Sequence, residues 1–133
     1  MPHLANITLV IPDYDAAIAF FTSVLGFELV EDTVLSETKR FVRVRPRGGE
    51  TALLLAQPKN AEERTAIGRQ AGGRVGFFLH TDDFARDFAA LKAAGVVIRG
   101  EPRSEPYGRV VVFEDPWGNP WDLIAPPPAA DGH

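Results

Sequence analysis

The segment DYDAAIAFFTSVLG, residues 13–26, has a counterpart later in the chain, DDFARDFAALKAAG, residues 82–95. Each opens on an aspartate that can accept from the free N–H groups of a first helical turn: Asp13 in one, Asp82 or Asp83 in the other. Each then carries apolar residues at helical spacing, Tyr14, Ala17, Ile18, Phe21 and Leu25 in the first and Phe84, Phe88 and Leu91 in the second. Each stops at a glycine, Gly26 or Gly95, suited to the left-handed position that ends a helix. Two segments of equal length with the same cap and stop point to an internal duplication.

The flanking residues extend the repeat. Short β-branched or aromatic runs precede both helices, Ile7 to Ile11 and Arg74 to Thr81. Pro12 biases Ile11 to an extended conformation, which separates the first strand from its helix. Three strands are expected after the first helix: Phe27 to Val34, Arg40 to Arg45 and Thr51 to Ala56. Three more follow the second: Val96 to Arg99, Arg109 to Glu114 and Trp121 to Ala125. An isolated βαβ pattern would suggest an ordinary α/β unit with a parallel sheet. Several short strands after each helix suggest α+β instead. The expected organisation is one domain over residues 1–133, with βαβββ modules at 4–57 and 74–125, a linker at 58–73 and a flexible tail at 126–133. Within the linker, Asn60 and Glu63 have capping-box spacing, so a short helix ending near Gly68 is expected. An exposed linker is preferred here over a lid. In the stretch EDPWGNPWDLI, Asp115, Pro116 and Gly118 occupy preferred places of a type I turn, so Asp115 is read as hairpin chemistry.

Composition narrows the function classes. An apolar content of 45% against 24% charged residues is that of an ordinary globular chain. With no cysteine, disulfides and thiolate metal sites are excluded. A net charge of −4 argues against a nucleic-acid partner. The basic stretch KRFVRVRPR, Lys39 to Arg47, reads as a strand whose Arg43 and Arg45 lie on a wet face. No apolar run reaches the roughly 20 residues that span a bilayer, and the first residues do not read as a signal peptide. A cytoplasmic protein without nucleic-acid or membrane partners is expected. The excess of arginine over lysine, with frequent Ala, Gly and Pro, suggests a bacterial source.

The two modules, the segment FFTSVLGFEL (Phe20 to Leu29) and YGRVVVFEDPWGNPWDLI (Tyr107 to Ile124) resemble the vicinal oxygen chelate superfamily. It includes glyoxalase I, extradiol dioxygenases, and the fosfomycin- and bleomycin-resistance proteins. The resemblance covers roughly residues 4–125. It implies a curled, cup-shaped mixed sheet with helices outside, and commonly a homodimer. Metal-dependent members usually place His or Gln on the first strand of a module and Glu on its last. The resemblance sets Asn6, Leu54, Gly76 and Asp122 at those four positions. Leucine and glycine side chains coordinate nothing, and an Asn carbonyl is a poor ligand for transition metals. His80 shares the strand parity of Gly76 but lies about 13 Å along the strand. His3 has the opposite parity to Asn6, and His133 falls in the tail. No cofactor is therefore expected, with a divalent metal as the alternative.

Strand parity then assigns the cup lining. Ile7, Leu9 and Ile11 face the helix, leaving Asn6, Thr8 and Val10 toward the cup. Ala52, Leu54 and Ala56 share that face in the first module; Gly76, Phe78 and His80 point in from the second. Trp121 and Leu123 face the helix, which turns Asp122 and Ile124 inward. An ordinary hairpin closed by Asp115 and Gly118 sets Arg109 and Val111 on the face of Asp122, with Arg109 diagonal to it. A bulge there reverses that placement. The candidate ligand-binding set is Asn6, Thr8, Leu54, Gly76, Phe78, His80, Arg109, Val111 and Asp122. Of these Asp122 is the candidate base or polar anchor; its rival role is an ion pair with Arg109.

The expected function is that of a glyoxalase/bleomycin-resistance-like protein binding a small apolar or aromatic molecule in a metal-free cup. The alternative is a metal-dependent lyase, isomerase or dioxygenase of the glyoxalase type with atypical ligands. An enzyme without metal, using Asp122 or His80 as base, and a module that only binds protein are further rivals. The residues leave open whether the protein turns anything over.

Overall fold

The computed structural model describes residues 1–128. The chain divides into two compact units, Met1–Gly72 and the remainder from Gly73. The first contains β1 (Asn6–Val10), α1 (Tyr14–Ala19), β2 (Glu28–Val34), β3 (Arg40–Arg45), β4 (Ala52–Ala56) and a short α2 (Ala61–Arg64). The second contains β5 (Phe77–His80), α3 (Phe84–Ala93), β6 (Ile98–Glu105), β7 (Gly108–Glu114) and β8 (Pro120–Ala125). Each unit holds a four-stranded mixed sheet, in the orders β1-β4-β3-β2 and β5-β8-β7-β6. The pairs β1–β4 and β5–β8 are parallel, the others antiparallel. The fold is α+β, with the βαβββ order occurring twice.

The expected caps form. The Asp13 carboxylate accepts from the Ala16 N–H at 2.8 Å, and Asp83 does the same for Arg86 at 3.0 Å. The first helix is not one regular α-helix to Leu25, however. A π-helical turn, Phe20–Val24, follows α1, with the Thr22 hydroxyl donating to the Ile18 carbonyl at 2.7 Å. Such hydroxyl back-bonding loosens the ladder. Phe20 and Phe21 are both buried in this turn, edge to face at 5.2 Å. Periodicity alone does not distinguish a π turn from an α turn over so few residues.

One face of each sheet is the core. In the first unit Leu9, Val42, Val44 and Leu55 are buried with Ile11, Ala17 and Phe21; Ile7 is left exposed. In the second, Val111, Phe113 and Leu123 are buried with Leu91 and Phe84. Trp121 is sandwiched between Phe77 at 4.4 Å and Phe113 at 5.8 Å.

Two differences from the sequence reading decide where side chains point. At the β7–β8 hairpin the type I turn forms, with Gly118 N–H donating to the Asp115 carbonyl at 3.1 Å. Gly118 then takes φ +103°, a conformation open to glycine, and Asn119 adds a residue before pairing resumes. The strands therefore pair Glu114 with Pro120 and Val112 with Asp122. That is one residue off the simple hairpin register, and a one-residue shift exchanges the two faces. At β6 the strand runs on past the expected end at Arg99 to Glu105, through Gly100 and Pro102. The breakers sit inside a bulge between Arg99 and Arg103, on an edge strand where proline is tolerated.

In the segment after β4, Asn60 caps α2, its side chain accepting from Glu63 N–H at 2.7 Å. The Glu63 carboxylate reaches back to the Lys59 N–H at 3.1 Å rather than to Asn60. Gln70, farther along, donates to the Thr8 carbonyl at 3.0 Å and accepts from the Val10 N–H at 3.2 Å. Its carboxamide thus imitates a paired strand along the outer edge of β1. Residues 126–128 are exposed and carry no regular structure. The rest of the expected flexible tail, with His133, lies outside the described residues.

Candidate functional site

Across the second sheet, register places Phe78, Asp122, Val112 and Arg99 in one row on the face away from Trp121 and Leu123. His80, Ile124, Val110 and Arg103 form the next row. Asp122 is the unusual member. It is 6% exposed, and its Oδ1 is buried without a hydrogen-bond partner. Burial pushes its carboxyl above the ordinary carboxylate range, an effect opposed by the positive charge of Arg103. Phe78, beside it on β5, is 63% exposed. A large ring in solvent next to an unsatisfied buried oxygen is an arrangement that folding alone does not favour.

Arg109 and Val111 are not on this face. With the hairpin one residue longer, Arg109 pairs with Ala125 and Val111 with Leu123. Arg109 lies over the Phe84 ring at 4.7 Å, and Val111 is fully buried in the core. The Arg109–Asp122 ion pair, the rival role for Asp122, is therefore not formed, and the cation whose charge acts on Asp122 is Arg103. The sequence reading missed Arg103 for a physical reason. The run Pro102, Arg103, Ser104, Glu105 has no apolar alternation, because an edge strand beyond the core needs none.

The first sheet places Thr8, Leu54, Arg43 and Glu31 in the equivalent row. Asn6 lies on the same face, its Oδ1 accepting from Arg43 Nε at 2.8 Å, with Glu31 3.8 Å from the same guanidinium. Arg43 thus shares the face of Leu54 and Thr8, the face expected to line the cup, and its side chain is 20% exposed. The register of β3 against β4 carries this information; alternation within β3 does not. Gly76 precedes β5 and donates to the Pro120 carbonyl at 3.3 Å, and His80 is exposed.

A divalent metal does not fit the donor set at Asn6, Leu54, Gly76 and Asp122. Two of the four have no ligating atom, and the Asn6 carbonyl is engaged by Arg43. Among the described residues no three His, Cys, Asp or Glu side chains group to hold a metal ion. Asp115, by contrast, is spent on structure. It accepts from Trp117 N–H (3.1 Å), Asn119 N–H (2.9 Å), Asn119 Nδ2 (2.8 Å) and Trp121 Nε1 (3.1 Å).

Two βαβββ units in one chain define an architecture, and comparison with known proteins agrees with it. Residues 2–123 match the model of the Glyoxalase/Bleomycin resistance protein/Dioxygenase superfamily, and the chain belongs to that family. An uncharacterised protein of Shewanella frigidimarina is 46% identical over 91% of this chain and 91% of its own. Among solved structures, TnmS3, an antibiotic-binding protein from Streptomyces sp. CB03234, is 30% identical, with a TM-score of 0.76 over 96% of this chain and 98% of that one. A superfamily member from Sphaerobacter thermophilus is 29% identical, with a TM-score of 0.75 over 94% and 98%. No helix among the described residues is long and apolar enough to cross a membrane.

Proposed function

We propose that this protein binds a small apolar or aromatic molecule on the face of its second sheet that carries Phe78 and Asp122, without a metal. The observation that carries this reading is the register pair of exposed Phe78 and buried, unsatisfied Asp122. The ring offers apolar area, and the carboxyl offers one oriented polar contact, the usual economy of a small-molecule site. Gly76 and His80, on the same unit, complete the proposed binding set there. An antibiotic-binding relative at 30% identity is in keeping with it. The reading includes a homodimer working in the bacterial cytoplasm; a monomer mass by light scattering at all concentrations would remove the dimer.

A thermal-shift screen of apolar and aromatic compounds, run in parallel with chelator and with added Mn, Fe, Ni or Zn, tests the proposal. Hits that persist in chelator are expected. Hits that appear only with metal would transfer the protein to the metal-dependent enzymes of its family.

A further inference from the structure

Resting on that reading, we infer that Phe78 and Asp122 form a two-point subsite for an aromatic ring bearing an uncharged N–H or O–H donor. The geometry is set by the sheet. Phe78 and Asp122 are register partners on adjacent strands, so their side chains leave the same face about 4.8 Å apart. A ring lying on Phe78 sets a donor on its edge beside the Asp122 carboxyl, and the bond to Oδ1, covered in the free protein, forms as the covering side chains part.

The need for a donor follows from the orphaned oxygen. A carboxylate accepts at both oxygens, and a carboxylic acid still accepts at its carbonyl. As a carboxylate, and as an acid with its proton on Oδ2, Asp122 keeps at Oδ1 an acceptor that the protein leaves unpaired. An acceptor already desolvated gives a donor the full gain of the hydrogen bond, since no bond to water is lost on binding, and gives a ligand without a donor nothing. An uncharged donor is favoured over a cation by the neighbours. Arg103, in the adjoining row, places positive charge near Asp122. Of the other acids on β6 and β7, Glu114 is bound by Arg99 at 2.8 Å and Glu105 by Arg103 at 3.1 Å, while Glu101 is exposed to solvent.

Indole and 1-methylindole test this, since a methyl group replaces the donor hydrogen and neither titrates near neutrality. 1-Naphthylmethylammonium serves as the cationic probe. Dissociation constants are measured by ligand-observed NMR on the full chain. Indole is expected to bind about tenfold tighter than 1-methylindole, one charge-free hydrogen bond's share of affinity. Asp122→Leu should abolish that preference. Leucine is tolerated at the equivalent position of the first sheet, where Leu54 stands. Phe78→Ala, a change at an exposed residue, should weaken both indoles alike and keep the ratio. Equal binding of the two indoles, a preference that survives Asp122→Leu, or tighter binding of the ammonium probe overturns the subsite while leaving a small-molecule site standing. No binding by any of the three probes overturns the subsite and counts against the broader reading as well.

Discussion

The two units share strand order and pairing, yet equivalent positions carry opposite solutions. Thr8, Leu54, Arg43 and Glu31 cross the first sheet where Phe78, Asp122, Val112 and Arg99 cross the second. In the first, the charge is on β3, and Asn6 and Glu31 answer it. In the second, the charge is on β8, and its Oδ1 is answered by nothing. A duplicated scaffold can keep one copy satisfied and leave the other short of a partner. The unsatisfied polar group, rather than any motif, distinguishes the two.

The hairpin turns give the largest test of this difference. Asp115 organises the β7–β8 turn through four hydrogen bonds, whereas the β3–β4 turn is held by a Gly49 N–H to Pro46 carbonyl bond. Asp115→Ala should cost about 3 kcal/mol in chemical denaturation, because several donors lose a buried acceptor. Glu50→Ala, at the first turn, should change stability by less than about 0.5 kcal/mol. Equal losses would erase the contrast.

Next comes the ion pair that fastens the first unit. Arg40 binds both oxygens of Asp32 at 3.0 and 2.7 Å and reaches Asp15 at 3.0 Å. Arg40→Ala should cost about 1 kcal/mol, the upper range for a pair still open to solvent. The hydrogen bond from Arg40 holds the Asp32 carboxyl below its ordinary value. A depressed acid stabilises the fold above its unfolded value, near 3.8, and the gain fades as pH falls through the folded value. The Arg40→Ala penalty should therefore shrink below pH 4 in a stability–pH series.

Asp122 has the opposite sign. Burial raises its folded value, so ionisation opposes folding once pH climbs past the unfolded value of about 3.8. Below that pH both states are protonated and no penalty exists. Asp122→Asn should then raise the midpoint of thermal unfolding by a few degrees at pH 7 and by nothing at pH 3. A variant destabilised equally at both would show that the carboxyl is a structural member after all.

The smallest expected effect concerns the sheet edges. Gln70→Ala frees the Val10 N–H and should cost about 1 kcal/mol or less. Hydrogen exchange at Val10 should quicken, with the β5 amides unchanged.

Repetition and topology were legible because both rest on local chemistry: two caps, two glycine stops and alternating strands. The position of Asp122 on the non-core face was legible too, since Trp121 and Leu123 announce the buried side. What escaped the sequence was pairing between strands. Gly118 and Asn119 set the β7–β8 register by a bulge whose signal is a single residue, and Arg109 and Val111 changed faces with it. Arg103 was missed because a polar edge strand has no hydrophobic period. Arg43 was assigned to solvent because its place beside Leu54 and Asn6 exists only after β1, β4 and β3 have joined.

Gln70 has a consequence for the order of synthesis. The ribosome delivers β1 early, and its outer edge can recruit any extended segment until something occupies it. The residue that does so lies past β4 but ahead of β5. The first half of the chain therefore carries its own closure, in hand before the strands of its twin emerge. Two sheets of the same strand order made in succession are at risk of exchanging strands, and one glutamine side chain shuts the earliest opening for that error.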